Sequence, residues 1–494
     1  MENKNRFSIL LEYLIGTAGL KNYILAQELQ YDVSYISKWV TGKVIPAERT
    51  EKRVLDGISN CIVHAGSEEG LAQLCHNYQV DQLQDLKMAI YDNLEAEYNY
   101  ARENWKDNTA PSKERVQFFP ELSLEKYIEK MCHPVLRRVS SLDIIAAMDM
   151  MAMRRDYRIQ IVKFREHALA KKLFYPNVHF SLLAKIDITH WDDLDDTTFL
   201  INLLTQMAYV DFYLYTTEQA SGKAVFVVKD DFAISGMLAN QDRCMSVAVT
   251  EEKSACNILY HHISTLCCRE AMLFRRSSMR EILNDNGYFR SLLAQNLHWL
   301  VGHMTEHFMP DDLFEEVLPQ LPEQFQAPDC IEQLRTLHQT TKNVLEQSPL
   351  CLIFHETAFS DLAVTGVLDF FSCKISLTPE QRVRYLEHLL MLCRQRNGHQ
   401  EYRVIYGQLV SDFQYVTNQC LFLSDMFSYL RLDIGAAENS LVIINHPDMR
   451  TIFERFYQTV WNNNEDGVVL SDTASISSYI QHIIQGITLI SRME

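Results

Sequence analysis

Over the first hundred residues the apolar positions recur at steps of three and four, the period of helices packed along one face. Phe7, Ile9, Leu10, Leu11, Leu14 and Ile15 make a first stripe that ends near Gly16 and Gly19. A second helix is expected from Asn22, read as its cap, with Ile24, Leu25, Ala26 and Leu29 inward. Asp32 caps a third, whose inward positions are Val33 or Tyr35, then Ile36, Trp39 and Val40. Gly42 suits the exit and Pro46 prevents continuation. Val54, Leu55, Ile58 and Ile62 predict a fourth helix, closed by Gly66. Leu83, Leu86, Ile90, Leu94, Tyr98, Ala101 and Trp105 then mark one face of a long helix, with Asp85, Asp92, Glu95 and Glu97 on the other. That stripe is expected either to pack on the next domain or to pair with a second copy.

The pattern changes after a linker at 107–115. Residues 123–175 read as helical, around LDIIAAMDMMAMRRDYRIQIVKF. Strands are expected at 179–187, 210–217, 223–231 and 244–252, which are rich in β-branched and aromatic residues. Helical periodicity returns from about 287 to 350, and a well-marked helix follows at 378–396, with Thr378 as cap and Pro379 at its first position. In two places, Ser246–Val249 and Leu441–Ile444, a short apolar strand meets a polar break and then an amphipathic helix. This suggests two related α/β units.

At 494 residues the chain needs several cores. Its net charge of -18 argues against a protein that coats nucleic acid, but the charge is uneven. Residues 1–65 hold eight Lys/Arg against seven Asp/Glu, leaving 38 against 57 for the rest. A nucleic-acid contact is therefore expected to be local. Twelve cysteines without a CxxC pair suggest reduced thiols and a cytoplasmic setting, and no apolar run is long enough for a membrane helix.

The residues Asn22, Leu25, Ala26, Leu29, Ile36, Ser37, Lys38, Trp39, Gly42, Lys43 and Pro46 fit one known pattern without a gap. In them the segment 22–46 resembles the Cro/C1-type (XRE family) helix-turn-helix regulators. The resemblance covers about 65 residues. It implies binding to double-stranded DNA, with Val33, Ser34, Ser37 and Lys38 facing base edges and Asn22, Thr41 and Lys43 facing the backbone. Gln30 stands where the family prefers a turn glycine, Tyr31 replaces a smaller apolar residue and Val40 a frequent Glu.

Candidates for chemistry are weaker. His298, His303 and His307 lie in HWLVGHMTEHF, the last two spaced to share a helical face, but no second ligand cluster accompanies them. His355-Glu356 lacks the second histidine of a zinc-protease motif, and phosphate loops and nucleophile elbows are missing. Arg154, Arg155, Arg158, Lys163 and Arg165 form a basic cluster, read as a solvated face or an anion contact. No catalytic residue, metal or cofactor is assigned.

The expected architecture is multidomain. An all-α helix-turn-helix domain at 1–66 and a helical connector or dimerisation helix at 67–107 precede a large, helix-rich mixed α/β region, divided as 116–304 and 305–494. The expected function is a dimeric, DNA-binding transcriptional regulator whose C-terminal region senses a small-molecule, peptide or protein effector or mediates oligomerisation. The alternative is an enzyme or interaction module brought to DNA by its N-terminal domain.

Overall fold

The computed structural model describes residues 4–78, 80, 82–107, 116–138, 141–163, 175–208, 210–395, 400–406, 419–432, 440–462 and 469–491. The 108–115 part of the expected linker, Arg165, and the side chains of Glu103 and Trp105 lie outside them. The chain divides into two compact units. One comprises Met1–Ile186 with Tyr209–Ala271, the other Asp187–Ala208 with Met272–Glu494. The expected 304/305 division falls inside the second.

The first unit begins with six helices: α1 (Arg6–Thr17), α2 (Asn22–Leu29), α3 (Val33–Val40), α4 (Glu51–Ala65), α5 (Glu68–Tyr78) and α6 (Leu83–Asp107). They share one core. Phe7, Leu11, Trp39, Val54 and Ile58 belong to the same buried cluster as Leu86, Ile90, Leu94 and Tyr98 of α6. From Leu86 to Ala101 the stripe on α6 is thus satisfied inside the chain, by α1 and α4, while Leu83 is exposed. Tyr98 lies edge-on to Phe7 and donates to the Pro46 carbonyl oxygen at 2.9 Å. The charged side of α6 is not wholly solvated either. Glu97 is buried beside Arg6 at 3.2 Å. Arg6 also meets Asp231, at 2.8 Å, in the turn of a hairpin of the following sheet. Burial raises the Asp231 carboxyl above its usual range, a shift that Arg6 partly offsets.

That sheet has seven strands: β1 (Val116–Ser123), β2 (Leu142–Met148), β3 (Tyr175–Ala184), β4 (Val210–Thr216), β5 (Lys223–Val228), β6 (Phe232–Asn240) and β7 (Arg243–Thr250). Their order is β1-β7-β6-β5-β2-β3-β4, with β2, β3 and β4 parallel and the remaining pairs antiparallel. Four strands fall where the alternation predicts them. β2 does not: within the stretch read as helical, Leu142–Met148 is a central strand, while among the described residues Leu124–Met131, Val135–Arg138 and Arg155–Val162 are helices as expected. Six of the seven β2 residues are buried, and a strand covered on both faces loses the alternation that identifies it. β1 carries Pro120, which an edge strand tolerates because its outward N–H has no ladder partner.

The second unit holds β8 (Phe274–Ser277), β9 (Leu297–Val301), β10 (Leu350–His355), β11 (Val367–Phe370), β12 (Cys373–Ser376), β13 (Gln400–Ile405), β14 (Cys420–Leu423), β15 (Tyr429–Arg431), β16 (Leu441–Ile444) and β17 (Val469–Leu470). β11 and β12 form a separate hairpin, turned by Phe371 and Ser372 with positive φ. The other eight are ordered β17-β13-β10-β9-β14-β15-β16-β8. With β17 set aside, this is the first sheet again. β8, β9, β10, β13, β14, β15 and β16 take the places of β1 to β7, with the same parallel trio and the same antiparallel meander. The strand–helix arrangement at the two sequence positions is the seventh strand of each sheet, followed by helices Lys253–Ser264 and Pro447–Trp461. β9 corrects the helical reading of 287–350 for the same reason as β2.

Candidate nucleic-acid interface

Helices α2 and α3 meet through a short turn. Ala26, only 2% exposed, allows the close approach, while Ile36 and Trp39 fill the space beneath. Gln30 adopts the left-handed conformation, φ 57° and ψ 42°, where a glycine costs least. Tyr31 uses its larger ring, packing at 5.1 Å against Trp39. Asn22 is the first residue of α2; the cap is Lys21, and among the described residues no side chain caps this end. The expected cap on α3 is present, since Asp32 accepts from the Ser34 amide at 2.8 Å. Hydrogen bonds from Ser34 hold the Asp32 carboxyl below its usual range.

Val33 and Tyr35, read as alternative inward positions, both point out, at 44% and 49% exposure. Ser34 and Lys38 are exposed and Ser37 half-buried, so α3 turns one face to solvent while Ile36 and Trp39 anchor the other. The Lys38 ammonium lies 5.4 Å from the Tyr35 ring centroid, a cation–π pair that Tyr35 adds and the sequence pattern did not. Thr41 donates to the Ser37 carbonyl at 2.8 Å, which closes α3. Gly42 follows with φ +76°, where a Cβ would come within 3.2 Å of the Lys4–Asn5 backbone. The exit is therefore fixed, and it leaves Lys43 exposed. The seven residues named from sequence thus lie on two adjoining helices and the turn after them.

The histidines at 298–307 are not on one helix. His298 is in β9, half-buried against Glu454 at 2.6 Å; its interactions with Cys351 and Glu454 overcome burial and push it up to about 9. His303 and His307 flank Glu306 after the strand, in a cluster around Arg431, which is fully buried. Arg431 makes bidentate contact with Glu306, at 2.9 and 3.0 Å, and reaches Asp369 at 2.7 Å. Burial works against ionising Asp369, but Arg431 holds its carboxyl well below the usual range. His303 Nε2 meets Asp369 at 3.1 Å, and its Nδ1 lies 3.6 Å from Cys420 Sγ. Burial would depress His303; Cys420 and Asp369 outweigh it and push it up to about 10. Two carboxylates therefore face a guanidinium and an imidazolium. Tyr288 closes the cluster by bonding Glu306 and His307, and burial pushes His307 down to about 4.

In the expected basic cluster Arg154 pairs with Asp156, and Arg158 donates to the carbonyl oxygens of Met151 and Met153 at 2.8 Å. Those contacts hold a local turn. Among the described residues no three His, Cys, Asp or Glu side chains are grouped to hold a metal, and no helix is long and apolar enough to cross a membrane. Neither a protein-family model nor a curated protein matches this chain.

Proposed function

We propose that the chain is a DNA-binding transcriptional regulator whose α2–α3 pair forms a helix-turn-helix of the Cro/C1 (XRE) type. The observation that carries this reading is the solvent-facing side of α3, with Val33, Ser34 and Lys38 outward above the Ile36–Trp39 anchor. A helix so presented fits a major groove. The uncapped N-terminus of α2, at Asn22, suits a backbone phosphate, and Lys43 adds a charge beyond α3. Lys38 is the one long donor among the proposed base-facing residues, so each domain reads few bases and binds modestly. A homodimer acting in the cytoplasm supplies the remaining specificity by reading two half-sites. The two α/β sheets, far more than a reader needs, sense an effector.

The test is fluorescence anisotropy on duplexes selected from a random library, over a salt series. The reading expects sequence-selective binding that falls with salt, and a loss of roughly 1–3 kcal/mol on replacing a base-contacting side chain such as Lys38 by Ala. Failure to select any duplex, or undiminished binding by a Ser37→Ala/Lys38→Ala double variant, would show the assignment to be wrong.

A further inference from the structure

On the first sheet, β3 and β4 bring together a serine, a histidine and a carboxylate. His179 and Ser181 are two residues apart on β3 and so share a face, and His179 lies directly across from Asp211 on β4. The Ser181 hydroxyl is 3.2 Å from His179 Nε2, and Asp211 is 2.9 Å from His179 Nδ1. The choice of nitrogens matters. A carboxylate only accepts, so Nδ1 carries the proton, and in the neutral ring Nε2 is left with its lone pair aimed at the hydroxyl. That is the order a nucleophile, a general base and an orienting acid require.

We propose that Ser181, His179 and Asp211 form a nucleophilic site that accepts acyl groups from activated esters or thioesters. This proposal is independent of the DNA reading. Ser181 Oγ attacks the carbonyl carbon and its proton passes to His179 Nε2. The C–O or C–S bond breaks and the leaving group takes that proton. Water, deprotonated by the same imidazole, then releases the acyl group as a carboxylic acid and restores the serine. Ser181 and His179 are the catalytic residues, and Asp211 positions the ring.

Two observations set this trio apart from ordinary sheet packing. It opens to solvent at one end: the side chains of His179 and Asp211 are 37% and 52% exposed, while Ser181 sits at the inner end beside the Cys267 thiol. The second sheet also shows that the fold does not need it. Its β10 and β13, which take the places of β3 and β4, pair Cys351 with Glu401 and Ile353 with Arg403, and neither strand carries a serine. Tyr213 lies 5.2 Å from the His179 ring and stacks on Tyr215, a ledge for an apolar acyl group.

The full chain is treated with a fluorophosphonate probe and its peptides mapped, with a thermal melt of each variant run in parallel. The expected result is one adduct, on Ser181, absent in Ser181→Ala and forming roughly a hundredfold more slowly in His179→Gln. Asp211→Asn, at an exposed position that should not unfold the sheet, is expected to slow labelling and move the acid limb of its pH profile to lower pH, because Asp211 raises the His179 pKa. Cys267→Ala, which removes the thiol beside Ser181, is expected to label faster. No adduct at Ser181, or equal rates in wild type and folded His179→Gln, would overturn the proposal, as would an unmoved pH profile in Asp211→Asn.

Discussion

Residues 116–250 and 274–444 trace the same strand order, yet treat their polar groups in opposite ways. The first sheet places His179 and Asp211 at a half-open surface, with Ser181 buried behind them. The second carries a nucleophile–imidazole–carboxylate order of its own, Cys420–His303–Asp369, but seals it. Cys420 has no exposed surface, and Asp369 is shared with Arg431. Similar geometry therefore has different meanings. Where a guanidinium neutralises the carboxylate in a sealed core, the chain of hydrogen bonds locks that core; where the carboxylate meets an imidazole at a partly exposed edge, it can orient a base.

The largest effect expected from this contrast belongs to Arg431. Arg431→Met leaves Glu306 and Asp369 buried against an uncompensated charge, and should cost about 3–5 kcal/mol in urea unfolding. Hydrogen exchange should show the loss concentrated in β9, β14 and β15. A cost below about 1 kcal/mol would mean that the cluster is not balanced by Arg431.

Next in size is the response to acid. Burial pushes His307 and His355, both in the second sheet's unit, down to about 4. The unfolded chain takes up those protons near pH 6.5 while the folded chain does not, so stability present above 6.5 is lost as pH falls toward 4. Each histidine contributes up to about 1.4 kcal/mol per pH unit in that window. His303 has the opposite sign. Its folded value of about 10 means that its contribution is complete below 6.5 and is lost as pH rises toward 10. Urea midpoints from pH 4 to 10 should therefore peak near 6.5, and a flat profile would contradict the buried states described.

A smaller difference separates two histidine–carboxylate pairs, His298–Glu454 and His179–Asp211. Glu454→Gln removes the 2.6 Å partner of His298 and should cost about 1 kcal/mol, reduced by the partial exposure of Glu454. His298 should then titrate below 9, as followed by NMR. Asp211→Asn, at the more exposed pair, should change stability by no more than about 0.5 kcal/mol. Equal costs would remove the distinction between a half-buried and an open pair.

The N-terminal helices were legible because local signals agree there. A 3.6-residue stripe, the Asp32 cap, Gly42 and Pro46 all point the same way, and even the unfavourable Gln30 adopts the conformation its place requires. The central strands were less so, because strands buried on both faces, like β2 and β9, are apolar at every position but one, Asp143 and His298 respectively. The repeated apolar strand before an amphipathic helix did mark the seventh strand of each sheet, though not the order around it.

Periodicity and capping, which act over a few residues, were enough to set the N-terminal helices and the inward Ile36–Trp39 anchor of α3, though not the outward placement of Val33 and Tyr35. The packing of distant segments was needed to show that the α6 stripe is used within its own unit and that the two sheets repeat one topology. It alone brought Arg431 to Glu306 and Asp369, 125 and 62 residues away. Those outcomes depend on contacts between distant segments, whose pairing is set by burial and charge compensation and not by any pattern that neighbouring residues carry.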